Sequence, residues 1–153
     1  MEEALALAEA AAAEGEIPVG AVVVDREGTI IGRGRNRRQS GDPLGHAELL
    51  AIGEAARAVG DWWLEGTTMV VTLEPCAMCA GALVNARVER LIFGAYDPKA
   101  GFCGTLGNLV QDPRLNHRLE VEGGFEEGRC RELLQRFFQQ LRREGKTERW
   151  QSG

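Results

Sequence analysis

What this chain lacks narrows the field before any motif is read. No apolar run approaches the ~18 residues needed to span a bilayer. The opening Met1-Glu2-Glu3-Ala4-Leu5 has no basic leader segment, so a cytoplasmic protein is expected. No internal repeat, low-complexity linker or second composition block interrupts residues 1–153, which points to one domain. A domain of that size buries roughly 70% of its unfolded surface and needs no disulfide framework. The four cysteines include Cys76 and Cys79 in a Pro-Cys-x-x-Cys pair, the spacing of metal or redox chemistry in a reducing compartment. Gly32-x-Gly34 has no third glycine at the required distance and no following helix, which excludes a dinucleotide fingerprint. Lysine is scarce, with Lys99 and Lys146 against sixteen arginines.

A net charge of -5 argues at first sight against a polyanionic partner. Its distribution changes that reading. Glu2, Glu3, Glu9, Glu14 and Glu16 carry the whole deficit within residues 1–16, leaving the remainder neutral. Arg33, Arg35, Arg37 and Arg38 form one basic run, and Arg129, Arg131, Arg136, Arg142, Arg143, Lys146 and Arg149 accumulate near the C-terminus. Such runs are commonly solvated faces; contact with RNA is permitted by them.

Periodicity predicts a helix over residues 2–14, then a hairpin of Val19–Val24 and Thr29–Gly34 turned by Asp25–Gly28. A helix is expected from His46 to Gly60, a strand from Thr67 to Leu73, a helix from Pro75 to Ala86 and a strand from Arg90 to Ala95. The last three form a βαβ unit, whose parallel strands read as almost wholly apolar because both faces are covered. A Gly-rich loop from Asp97 to Gly107, a short strand at Leu119–Val121 and a long helix from Glu126 to Arg149 complete the pattern.

Chemistry concentrates where two helices begin. Cys76 and Cys79 share one face of a first turn, near the positive end of a helix dipole that favours thiolates. His46 opens the other helix. These three are good zinc ligands, and a catalytic zinc site has three protein ligands where a structural one has four. Glu48, two residues beyond His46, is placed to take a proton from activated water and hand it on. A C-x-x-C pair alone would also suit a thioredoxin-like redox centre, and Cys103 in the Gly-rich loop is a second candidate to close the zinc site.

His46-Ala47-Glu48 with Pro75-Cys76-x-x-Cys79 is the signature of zinc nucleobase deaminases. The likeness extends through Glu16-Ile17-Pro18-Val19-Gly20-Ala21, Gly34-x-Asn36-Arg37, Thr72-Leu73-Glu74-Pro75-Cys76-x-Met78-Cys79-Ala80-Gly81-Ala82, Phe93-Gly94-Ala95-x-Asp97-x-Lys99-x-Gly101, Asn116-His117 and Phe137-Phe138. With these residues the chain resembles the bacterial tRNA-specific adenosine deaminase family. That resemblance implies a three-layer α/β/α fold with a mixed five-stranded sheet, similar to cytidine deaminases. It also implies a homodimer with one Zn2+ per subunit, acting on a tRNA anticodon stem-loop, of an arginine tRNA.

The implied reaction is hydrolytic conversion of the wobble adenosine to inosine. Zinc-activated water attacks adenine C6 while Glu48 protonates N1 and then the leaving ammonia. On the same resemblance Asn36 and Ala47 contact the inserted base, Ile17 and Pro18 wall the pocket, Asp97 and Lys99 meet flanking nucleotides, and Phe138 contributes to RNA binding. Packing is the plainer role for Phe137 and Phe138, and turn formation for Asn36. The rival readings are a deaminase of guanine, cytosine or a free nucleotide on the same fold, and a noncatalytic zinc-containing RNA-binding subunit, which would have no use for Glu48.

Overall fold

The computed structural model describes residues 1–147; Arg149, counted above in the last helix, lies outside the described residues. Helix α1 (Glu2–Ala13) leads through Pro18 into strand β1 (Gly20–Val24), which pairs antiparallel with β2 (Ile30–Arg35). The turn between them is held by Asp25, whose Oδ1 accepts the amides of Glu27 at 3.0 Å and Thr29 at 2.9 Å. On its other side β1 pairs antiparallel with β3 (Thr68–Leu73). Strands β4 (Arg90–Ala95) and β5 (Glu120–Glu122) then add in parallel. The result is the mixed five-stranded sheet expected, in the order β2-β1-β3-β4-β5.

Alternation along the strands divides the core between the two faces. Ala21, Val23, Met69 and Val71 pack with Ala47, Ala51 and Ala55 of helix α2 (Ala47–Val59) and with Ala80 and Leu83 of helix α3 (Ala77–Asn85). Leu5 and Ala8 of α1 pack with Ala95 and with Cys130 and Leu133 of helix α4 (Glu127–Arg143) in a second cluster. Helices α1 and α4 therefore cover one face, and α2 and α3 the other. Among the described residues no helix is long and apolar enough to cross a membrane.

The seam between α2 and β2 decides where the chemistry sits. Ala47, Ala51 and Ala55 recur at every fourth position and are wholly buried against the strand. Opposite them, a Cβ on Gly34 would collide with the Ala47 carbonyl oxygen. With methyl groups on one side and hydrogen on the other, helix backbone lies almost on strand backbone. Several boundaries differ from expectation. The last helix, expected to run to Arg149, ends at Arg143, with Gly145 at φ 67 beyond it. Leu119 is buried ahead of the last strand, its amide donating to Val110 O at 2.8 Å. Glu126 stands outside α4 with φ 54, turning the chain into the helix instead of starting it.

Candidate active site

His46 and Cys76 occupy equivalent places. Each is the extended residue immediately before a helix, His46 at φ -89, ψ 142 and Cys76 at φ -72, ψ 176, and neither side chain caps its own helix. At α2 the capping duty falls to Asn36, whose Oδ1 accepts the Ala47 amide at 3.1 Å. That leaves the imidazole free to turn outward. At α3 the first-turn dipole faces Cys76 and Cys79.

His46 Nδ1 lies 3.6 Å from Cys76 Sγ and 3.4 Å from Cys79 Sγ, and the three donor atoms all fall within 4.8 Å of one another. A tetrahedral zinc bonded at about 2.3 Å to sulfur and 2.0 Å to nitrogen spaces such donors roughly 3.5 Å apart. The donor set fits that ion in type and in spacing. Among the described residues no fourth His, Cys, Asp or Glu joins the group. Cys103 stays outside it: the residue is buried in the main core, its Sγ 3.9 Å from Pro75 O. The coordination left open is that of a catalytic centre.

Without metal the three donors share protons among themselves. The Cys76 thiol is held down to about 4, first by the hydrogen bond from Cys79, opposed by burial and helped further by His46. Cys79 is pushed up, because its proton serves the Cys76 sulfur and a second thiolate beside the first is unfavourable. The His46 imidazole is raised chiefly by its hydrogen bond to Cys76. Glu48 is 4% exposed, and burial pushes its carboxyl up despite hydrogen bonds from its own amide and from Cys79. An acid held in that state beside an open coordination position suits a group that must both accept and donate protons.

The remaining predicted residues separate into those gathered here and those elsewhere. Asn36 is buried, its amide donating to Val19 O at 3.2 Å, and the Val19 amide closes a tight turn over Pro18 onto Ile17 O at 2.8 Å. Hydrogen bonds thus link the Ile17–Val19 turn through Asn36 to Ala47 at the start of α2. Ala47 itself is wholly buried, with its amide given to Asn36. Asp97 Oδ1 accepts the amides of Lys99 at 3.0 Å and Ala100 at 3.2 Å, which shapes the loop, and Lys99 is exposed. Phe138 belongs to α4, across the sheet from α2 and α3, with its ring 5.4 Å from that of the buried Phe137.

Two carboxylates escaped the sequence reading. Glu16, counted there toward the net charge, is 4% exposed and receives the Gln39 amide at 2.9 and 3.1 Å on its two oxygens, tethering the short turn Arg38–Ser40. Glu74 is 2% exposed and receives the amides of Asp97 at 3.1 Å, Cys103 at 3.0 Å and Thr105 at 3.1 Å. The Thr105 hydroxyl donates to it as well. A lone acid closing an apolar strand directly before Pro75-Cys76 was the available signal. The basic run is also less free than it reads: Arg33 pairs with Glu3 at 3.0 Å, Arg35 with Glu14 at 2.7 Å and Arg37 with Asp42 at 3.6 Å. Arg129 pairs with Glu2, so the acids of α1 face arginines of β2 and α4.

Residues 1–95 match the family described as the cytidine and deoxycytidylate deaminase zinc-binding region. The tRNA-specific adenosine deaminase of Bacillus subtilis is 50% identical over 150 residues, 97% of this chain and 92% of that protein. A solved structure from studies of A-to-I editing by tRNA:A34 deaminases superposes with a TM-score of 0.83 at 41% identity, covering 88% of this chain and 97% of the other. The guanine deaminase of Nitrosomonas europaea shares the fold with a TM-score of 0.73 at 26% identity, over 89% of this chain and 81% of that one.

Proposed function

The chain belongs to the zinc-binding cytidine and deoxycytidylate deaminase family, and on that footing we propose that it converts adenosine to inosine at the wobble position of a tRNA anticodon. The end-to-end, half-identical tRNA-specific relative carries the substrate assignment. The buried Glu48 beside a three-donor cluster carries the chemistry. His46, Cys76 and Cys79 hold the zinc. When bound, the ion supplies the Lewis acidity that brings the pKa of water from 15.7 to about 7.

Glu48 does the proton work. It takes a proton from the attacking water and gives it to adenine N1 as C6 becomes tetrahedral, then takes the second proton from the new C6 hydroxyl and gives it to the amino group, which leaves as ammonia; water and adenosine become inosine and ammonia. Burial raises the Glu48 carboxyl and so favours the protonated form that a shuttle passes through. Asn36, with Oδ1 engaged by Ala47, turns its amide nitrogen to the inserted base, and Ile17 and Pro18 close that side of the pocket. Lys99 meets the phosphates flanking the flipped nucleotide, and Phe138 marks a more distant RNA contact.

The whole chain acts as one catalytic domain in the cytoplasm, on an arginine tRNA, as a homodimer. Pairing of two copies would cover Ala77 and Met78, apolar and exposed beside the metal donors. The deciding experiment offers an anticodon stem-loop with a wobble adenosine alongside free adenosine, cytidine and guanine. Inosine should form in the stem-loop alone. Turnover confined to a free base, guanine above all, would assign the chain to the other branch of its fold.

A further inference from the structure

We propose that Glu74 is a positioning residue that sets the substrate-facing loop 97–105, and through it the capture of RNA as distinct from the chemical step. The proposal rests on the tRNA deaminase reading above. Its footing is the hydrogen-bond pattern at the end of β3. Glu74 Oε1 accepts the Asp97 amide and the Thr105 hydroxyl, while Oε2 accepts the amides of Cys103 and Thr105. Asp97, Cys103 and Thr105 are the beginning, middle and end of one loop, so a single carboxylate holds it at three points.

That place asks for hydrogen-bond acceptors at both oxygens. All four contacts donate to the carboxylate, and among the described residues Glu74 has no ion pair. The loop presses so close that a Cβ on Gly101 would collide with the carboxylate. Further bonds continue the docking: Phe102 donates its amide to Pro75 O at 2.9 Å, and Gly101 donates to Asp97 O at 3.0 Å. Cys76 follows Glu74 by two residues, so the loop is referred to the same backbone that carries a metal donor. Lys99 stands between the first and second points of attachment. Its distance from the metal donors is therefore set by Glu74, although Glu74 is buried away from substrate.

Glutamine at this site must face an N–H donor with its own amide. Its best choice puts the NH2 at the Oε1 position, where the Thr105 hydroxyl can reverse and accept, and where the Asp97 tie is lost. The start of the loop is released while zinc and Glu48 remain. With zinc-loaded protein and an anticodon stem-loop, E74Q should raise KM about tenfold with kcat held within about threefold, a loss of uniform binding. Zinc should stay at one per chain, and amide hydrogen exchange at residues 97, 103 and 105 should accelerate. T105V should raise KM about threefold, and T105S should behave as the parent.

A fall in kcat at unchanged KM, or loss of zinc with unaltered loop exchange, would overturn the proposal and leave Glu74 as a support of the metal donors. If E74Q does not fold, the Thr105 pair decides, and equal KM for T105V and T105S overturns it. If the parent protein deaminates a free base and not the stem-loop, the tRNA reading fails by itself. Loop exchange in T105V against T105S then still decides whether this carboxylate sets the loop, with no difference counting against it.

Discussion

Two buried glutamates stand two residues from a metal donor, Glu48 after His46 and Glu74 before Cys76, and their surroundings are opposite. Glu74 receives three amides and a hydroxyl, spread over both oxygens. Glu48 is equally hidden but among the described residues meets its own amide and the Cys79 thiol, and desolvation is the largest influence raising it. Removing a carboxylate from water costs several kcal/mol unless hydrogen bonds replace the lost solvent. That cost is offset at Glu74 and largely left standing at Glu48. Four donors hold the Glu74 carboxylate in place, while burial raises the Glu48 carboxyl and favours its taking up a proton. Position relative to the metal motif is shared; the environment sets the two glutamates apart.

The sharpest way to break this contrast is E48A. Turnover on the stem-loop should fall by on the order of 10³-fold or more while zinc content and fold are kept. Metal analysis and inosine assay on one preparation check it, and a zinc-free variant would remove Glu48 from the role of shuttle. Next in size, E74Q should lower the unfolding free energy of the zinc-loaded protein by about 1–3 kcal/mol in urea titration, because at least one buried donor is left unpaired.

The same substitution at the other site should act in the reverse direction. Burial raises the Glu48 carboxyl above its unfolded value, so metal-free native protein binds the extra proton and loses stability as pH rises through that window. E48Q removes the charge. Metal-free E48Q should exceed the parent in stability by about 1 kcal/mol at pH 8, with the difference vanishing below the unfolded glutamate value near 4.3. A pH series of urea midpoints that shows no convergence at acid pH would break the comparison. The smallest effect is expected at Glu16, whose two oxygens share a single donor, the Gln39 amide. There E16Q keeps an acceptor and should cost less than about 1 kcal/mol, measured in the same titration.

Much of this was legible in the sequence for identifiable reasons. Ligand type and spacing are local properties, so His46, Cys76 and Cys79 announce themselves, and helix starts follow from Pro75 and from the Ala-Leu pattern after His46. One hairpin and one βαβ unit were legible; the β1–β3 pairing that joins them and the place of β5 at the edge were not. What stayed hidden depends on partners distant along the chain. Glu16 reads as one more acid in an acidic segment until Gln39 is folded over it, and Glu74 reads as a strand-end charge until the loop 29 residues on supplies Cys103. Asn36 between two arginines looks like a turn residue; its cap on α2 appears only when β2 lies beside that helix. The arginine run hid its partners for the same reason, since Glu3 of α1 and Glu14 just beyond that helix reach it.

The Gly-Ala seam between α2 and β2 has a consequence for variation. Most helix–sheet contacts contain side chains that shift rotamer when a neighbour grows, so strain is absorbed near its source. Here backbone bears on backbone, and there is nothing between Gly34 and Ala47 to yield. A single added methyl at Gly34 would push the first turn of α2 bodily, carrying the His46 imidazole away from two sulfurs on a different helix. The donor triangle is therefore gauged from a strand edge that touches none of its members. Loss of metal affinity is the expected symptom of a substitution there, long before loss of fold.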